Sequence, residues 1–193
     1  MAKNFGIIFL LLIILSSGSI SYARPIQIGW NFSFRYYNNW NLNYRTDGIV
    51  AGYDLNPSAG AEIFFLFPIL DNVDIEIAVE DIAPARLRWA AAWPENTVAY
   101  LPIYLSGILN WGKLGPFDPY TGAGVNLTYT TEKFTGYDYS PGMGYQFFMG
   151  ACFGGGWRGE FGYAFMNSGI STSFSMNAFS GTTYFKLGYA LSI

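Results

Sequence analysis

The chain has 193 residues, a formal charge of -3, no histidine and a single cysteine, Cys152. Only 12% of its residues are charged, against a typical ~25%, while 20% are aromatic. This balance excludes a basic nucleic-acid-binding surface, an internal disulfide or thiolate metal cluster, and a soluble domain coated in solvated charge.

The amino terminus reads as an export signal. Lys3 gives a positive start, residues 5–15 are apolar apart from Gly6, and Ser21-Tyr22-Ala23 is a small-x-small cleavage pattern. A membrane-spanning helix needs about 20 apolar residues, and Ser16, Ser17, Gly18 and Ser19 cut this run short. Residues 1–23 are therefore expected to be a cleaved signal peptide, and residues 24–193 a single domain.

Strict alternation begins directly after it. In residues 26–37, Ile26, Ile28, Trp30, Phe32, Phe34 and Tyr36 share one face, and Gln27, Gly29, Asn31, Ser33 and Arg35 the other. That is the period-2 signature of a strand with one apolar and one polar face. Its length suits a tilted strand crossing a bilayer, which takes roughly 9–11 residues, better than a globular strand of about five or six.

The same pattern recurs down the chain. A polar, Asn- and Tyr-rich connection (38–57) leads to a second strand, 58–67, with Ala61, Ile63, Phe65 and Phe67 out and Gly60, Glu62 and Leu66 in. After a turn carrying Asp71-Asn72, the third strand (73–80) sets Val73, Ile75, Ile77 and Val79 against Asp74, Glu76, Ala78 and Glu80. A second long connection (81–96) precedes a fourth strand, 98–110, which Pro102 makes irregular toward its upper end.

The fifth strand, 120–130, faces Ala123, Val125, Leu127 and Tyr129 outward over Gly122, Gly124, Asn126 and Thr128. Past the connection 131–141, the sixth strand (142–153) faces Tyr145, Phe147, Met149 and Phe153 outward. Gly154-Gly155-Gly156 turns the chain into the seventh (157–166), where Arg158, Glu160, Gly162 and Ala164 face in. A last long connection, 167–180, leads to a final strand with Phe185, Leu187, Tyr189, Leu191 and Ile193 out and Lys186, Gly188, Ala190 and Ser192 in.

The expected fold is thus all-β, an eight-stranded antiparallel transmembrane up-and-down barrel. Even strand number and alternating long and short connections match bacterial outer-membrane barrels, whose short turns are periplasmic. A soluble carrier barrel would place its apolar face inside instead. The polar face here is rich in glycine and small residues, suited to a crowded lumen, and the apolar face is too large for a soluble monomer to expose. Closure is required as well, because an unpaired strand edge in hydrocarbon costs several kcal/mol per backbone group.

The segments GAEIFF (60–65), NVDIEIAVE (72–80), PYTGAGVNL (119–127) and the alternating carboxyl end resemble the small eight-stranded outer-membrane barrels of the OmpA, OmpX and OmpW type, over essentially the whole mature chain. The resemblance implies insertion by the barrel-assembly machinery, which reads a carboxyl-terminal strand usually ending in an aromatic residue; this chain ends in Ile193. It also allows, in its OmpW-like aspect, a narrow channel for small or hydrophobic solutes.

Inward positions carry Arg35, Arg158 and Lys186 against Glu62, Asp74, Glu76, Glu80 and Glu160. Strand direction puts Asp74, Glu76, Arg158 and Glu160 toward the periplasmic end, and Arg35, Glu62, Glu80 and Lys186 higher. Two stacked ion-pair clusters are expected, since an unpaired charge in a narrow lumen is strongly destabilised. Such groups fill an eight-stranded lumen; the competing reading is a gated ion path.

No histidine is available as a catalytic base, so no enzyme is expected, and no cofactor. The acids of 71–81 lack calcium-loop spacing, and Gly122-Ala123-Gly124 lies mid-strand, unlike a phosphate loop. Residues 85–93 read as a short helix with Trp89 and Trp93 on one face, near Arg86. Arg86 and Arg88 are then candidate contacts for lipopolysaccharide headgroups, unless the tryptophans simply join the aromatic belt. Trp40 and Arg45 in the first long connection suit recognition of an extracellular ligand. The expected role is structural or surface-interacting, adhesin-like, with a filled lumen.

Overall fold

In a computed structural model, the described residues are 24–44, 50–55, 57–88, 97–131, 138–171 and 175–193. The signal peptide expected at residues 1–23 lies outside them. Among the described residues, nine strands follow in order: β1 (Gln27–Tyr44), β2 (Val50–Leu55), β3 (Ser58–Leu70), β4 (Val73–Arg88), β5 (Thr97–Asn110), β6 (Phe117–Thr130), β7 (Asp138–Phe153), β8 (Trp157–Ser171) and β9 (Ser175–Ser192).

Eight of these, all but β2, pair antiparallel with their neighbours in the circular order β1-β3-β4-β5-β6-β7-β8-β9. The circle closes where β1 meets β9, in register from Gln27↔Ser192 to Tyr37↔Thr182 and, past a bulge, on to Tyr44↔Met176. The first and last barrel strands therefore leave no free edge, as a hydrocarbon environment demands.

Side-chain orientation settles which face is wet. Phe32 is 63% exposed and Phe34 57%, whereas Arg35 beside them is 0% exposed. Ile63, Ile77, Val125, Phe147, Met149, Phe161, Phe185 and Leu191 join the outer face, and the buried polar groups line the lumen. A soluble carrier would show the reverse. On β1 the apolar row from Ile28 to Tyr36 is roughly 20 Å tall once strand rise and tilt are combined, close to the ~25 Å apolar band of such barrels. Trp157 meets both Trp30 and Tyr189 edge to face at the short-turn end of this band, where ring side chains suit the interface. A band of this extent is a membrane-facing surface.

The tight turns follow from local chemistry. Asp71-Asn72 joins β3 to β4, and Gly154, Gly155 and Gly156 all take positive φ (49°, 76° and 116°) between β7 and β8. Three successive left-handed residues admit little other than glycine.

The long connections differ from expectation. Much of 38–57 is strand: β1 runs on to Tyr44, and β2 pairs with it through Trp40↔Tyr53 to Asn43↔Val50, then reaches β4 at Asp54↔Arg88 and Leu55↔Leu87. β2 occupies the place of β3 above it. Likewise β7 begins at Asp138, β8 ends at Ser171 and β9 begins at Ser175, inside segments expected to be loops. The barrel wall thus extends into segments whose Asn-rich, polar composition reads as loop.

The helix expected over 85–93 is also corrected. Ala85 to Arg88 continue β4, with Ala85↔Val98 and Arg86↔Thr97 in register with β5. Cross-strand pairing overrides the helical preference of the alanine-rich stretch. The irregularity expected around Pro102 falls between β4 and β5 at Ile82 and Ala85, next to Pro84; Pro102 itself pairs in register with Thr128.

Candidate functional site

The lumen holds one continuous network to which every barrel strand contributes a side chain. On β1, Arg35 donates through Nε to Glu80 Oε1 on β4 at 2.9 Å, and through Nη2 to both Glu80 Oε2 and Tyr104 Oη on β5, the latter at 2.8 Å. Ser33 adds a hydrogen bond to Glu80 Oε1 at 2.5 Å. Lys186 on β9 meets Glu62 of β3 at 2.5 Å, and Asn31 donates to the other oxygen of Glu62 at 2.6 Å. On β8, Arg158 pairs with Glu76 at 2.7 Å and Glu160 at 2.8 Å, and its Nε donates to Tyr120 Oη on β6 at 3.1 Å. Tyr184 Oη donates to Gln146 Oε1 on β7 at 3.4 Å, and Gln146 donates to Ser106 at 2.8 Å.

The two expected clusters are thus one. Lys186 Nζ lies 3.8 Å from both Glu80 above and Glu160 below, bridging the levels. Asp74 departs from the expected grouping: it pairs with Arg24 at 2.6 Å and accepts from Asn110 at 2.8 Å, nearer the short-turn mouth. This contact joins Arg24, just ahead of β1, to a residue 50 positions on, and leaves no trace in local sequence.

Rings inside the lumen were missed by the sequence reading. Arg158 Cζ lies 4.5 Å from the centre of the Phe64 ring and 5.1 Å from that of Tyr120. Arg35 Cζ is 4.8 Å from Tyr184, and Lys186 Nζ is 4.9 Å from Tyr184 and 5.0 Å from Tyr104. Each buried cation therefore has aromatic faces as well as carboxylates, a contact strengthened by desolvation. Room for the rings comes from glycine. Phe64 lies across from Gly29, Phe148 from Gly122 and Tyr120 from Gly150, and Tyr184 from Gly162. In all four cases a Cβ on the glycine would overlap the ring. The signal was present: Phe64 and Phe148 sit at inward parity.

These charges are not solvated. Arg35, Glu62, Glu76, Glu80, Arg158, Glu160 and Lys186 are each 3% exposed or less, so side chains fill the cross-section at this level. Three cations face four carboxylates, and removing one member of a buried pair typically costs about 3–5 kcal/mol. Arg35 Nη1 and Asn31 Oδ1 are buried without a hydrogen-bond partner among the described residues. Below the network, a cavity of 370 Å³ opens at the short-turn mouth, lined by Arg24, Asp74, Lys113, Asp118, Cys152 and Arg158 among others.

The other predicted contacts stand apart. Arg86 and Arg88 lie on β4, roughly 35 Å along the barrel axis from its start by strand rise and tilt, beyond a ~25 Å apolar band. Their side chains lie outside the described residues, as do Trp89, Trp93 and Arg45 and the side chain of Trp40.

Closure, an apolar outer band and a side-chain-filled lumen define the fold of the small eight-stranded outer-membrane barrels. The chain is similar to the outer membrane protein AlkL, determined by solid-state NMR in DMPC bilayers. Identity is 15%, 91% of this chain and 94% of that one are covered, and the TM-score is 0.58. Neisserial surface protein A is similar at 14% identity, over 85% and 96% of the two chains, with a TM-score of 0.51. At such identities the likeness is one of fold. No protein-family model matches the sequence, and no curated protein matches it.

Proposed function

We propose that this chain is a bacterial outer-membrane barrel that acts at the cell surface, structurally or by surface interaction in the manner of an adhesin, and does not conduct. The observation that carries this is the buried network at mid-lumen, with seven charged side chains from five strands at 3% exposure or less. A pore would need hydrated walls at that level, and opening one here would separate ion pairs already removed from water. The absence of histidine from the sequence supports a non-catalytic role.

The strands that continue past the apolar band support a surface role, since they raise loop-bearing wall well clear of the bilayer. Arg86 and Arg88 lie at a height where lipopolysaccharide headgroups stand, and lipopolysaccharide and an extracellular ligand are the partners this reading implies, with the barrel-assembly machinery acting during insertion. Planar-bilayer recording tests the filled lumen: the reading expects a silent wild-type protein and an equally silent Glu62→Gln. Stable unitary currents from the wild type would replace it with a narrow channel. Adhesion of cells with and without the protein to host or abiotic surfaces tests the surface role, and identical adhesion would count against it.

A further inference from the structure

The outer band is not uniformly bulky. At Gly107 on β5 it is indented: no atom lies within 4 Å of where a Cβ would stand. Gly107 pairs with Ala123 on β6 and with Ile75 on β4. Larger outward side chains stand nearby on the same strands, Leu105 and Leu109 on β5 and Val125 on β6. The result is an apolar notch of 340 Å³, walled by Val73, Leu109, Thr121 and Ala123. It lies at the short-turn end. On its rim, Trp111 donates from Nε1 to Thr121 Oγ1 at 3.2 Å, which ties an exposed indole to the edge of the notch.

We propose that this notch seats one acyl chain of a glycerophospholipid from the leaflet facing the short turns, with Trp111 at the level of its headgroup. The occupant follows from position. The notch is continuous with the lipid-facing band, so the medium opposite it is hydrocarbon, and its walls offer apolar surface with almost no polar group to satisfy. An indole at the rim suits the boundary between acyl chain and headgroup. A second copy of the chain fits poorly: a stable protein interface takes roughly 800 Å² and 20–30 residues on each side, far more than this recess supplies. Short turns face the periplasm in such barrels, where the leaflet is phospholipid.

The inference rests on the membrane placement proposed above, and the experiment separates the two. The full mature chain is folded into vesicles of phosphatidylethanolamine and phosphatidylglycerol, extracted in mild detergent and examined by native mass spectrometry. Heat-modifiable gel migration is read in parallel. Wild-type protein is expected to retain one phospholipid. Gly107→Leu, which projects into open space, is expected to fold and to lose that adduct at least tenfold, and Ala123→Leu to do the same from the neighbouring strand. Gly159→Leu, a substitution at another outward glycine, is expected to keep it. A folded wild type with no retained lipid, retention unchanged in both filling variants, or a protein dimer as the main species would each overturn the proposal. Failure of the wild type to fold into vesicles at all would instead sink the membrane placement.

Discussion

Phe148 lies in the lumen directly across from Gly122, its ring in the space that any β-carbon at Gly122 would need. The three nearest atoms to that point all belong to the Phe148 ring, so a single side chain decides whether the position tolerates substitution. Gly122→Ala should therefore destabilise the barrel by about 1–3 kcal/mol, the usual cost of overpacking. Phe148→Leu in the same chain should recover part of that loss, because the two changes share one volume. Urea unfolding in vesicles measures both; additive losses in the double variant would show that the ring is not what excludes the methyl group.

Arg158 binds two buried carboxylates, Glu76 and Glu160, and packs on Phe64 and Tyr120. Arg158→Met leaves both carboxylates without their main partner. The expected cost is about 3–5 kcal/mol, with restoration of much of it by adding Glu76→Gln. The same unfolding measurement checks this, and a loss within about 0.5 kcal/mol, as at an ordinary surface site, would mean the network does not hold the lumen together.

Glu62 and Lys186 form the pair whose two members should behave least alike. Lys186 touches Glu62 at 2.5 Å and stands 3.8 Å from Glu80 and Glu160. Glu62→Gln leaves Lys186 between two other carboxylates and keeps a group to accept from Asn31, so it should cost about 1 kcal/mol, near one ordinary hydrogen bond. Lys186→Met removes the bridge between levels and should cost about 3 kcal/mol or more. Equal losses would place Lys186 outside any shared role.

Position in the outer band sets the cost of a charge there. Phe32→Arg, near mid-band, should destabilise by about 2–4 kcal/mol, and Tyr36→Arg, toward its edge, by about 0–1 kcal/mol. A gradient in the opposite direction would move the bilayer away from this part of β1.

The strands that cross the apolar band were legible because only there do the two faces meet different media. Trp30, Phe32 and Phe34 alternate with Asn31, Ser33 and Arg35 for that reason, and the lumen charges could be named from parity alone. Beyond the band, residues 38–44 (NNWNLNY) read as loop for their asparagine content, although Trp40, Leu42 and Tyr44 alternate with Asn41 and Asn43, and Val50 to Leu55 is too short a run to stand out. Residues 85–88 were misread as helix because local preference favours it and the pairing with Thr97 and Val98 is non-local. The inward rings were hidden differently. Phe64 and Phe148 look like band residues by type, and only the register with Gly29 and Gly122 explains how a narrow lumen admits them. Arg24 and Asp74 likewise meet by a side-chain contact between residues 50 apart that sequence spacing does not encode.

The central claim is that the face bearing Trp30, Phe32 and Phe34 meets lipid while the face bearing Ser33 fills the interior. Nitroxide labels placed singly at positions 30, 32, 33 and 34 of a Cys152→Ser protein in phospholipid vesicles test it directly, through relaxation by oxygen and by a water-soluble nickel chelate. The account predicts high oxygen and low nickel accessibility at positions 30, 32 and 34, and an immobilised label shielded from both at 33. Nickel accessibility at 30, 32 and 34, or burial of those three against protein with the label at 33 in solvent, would contradict it.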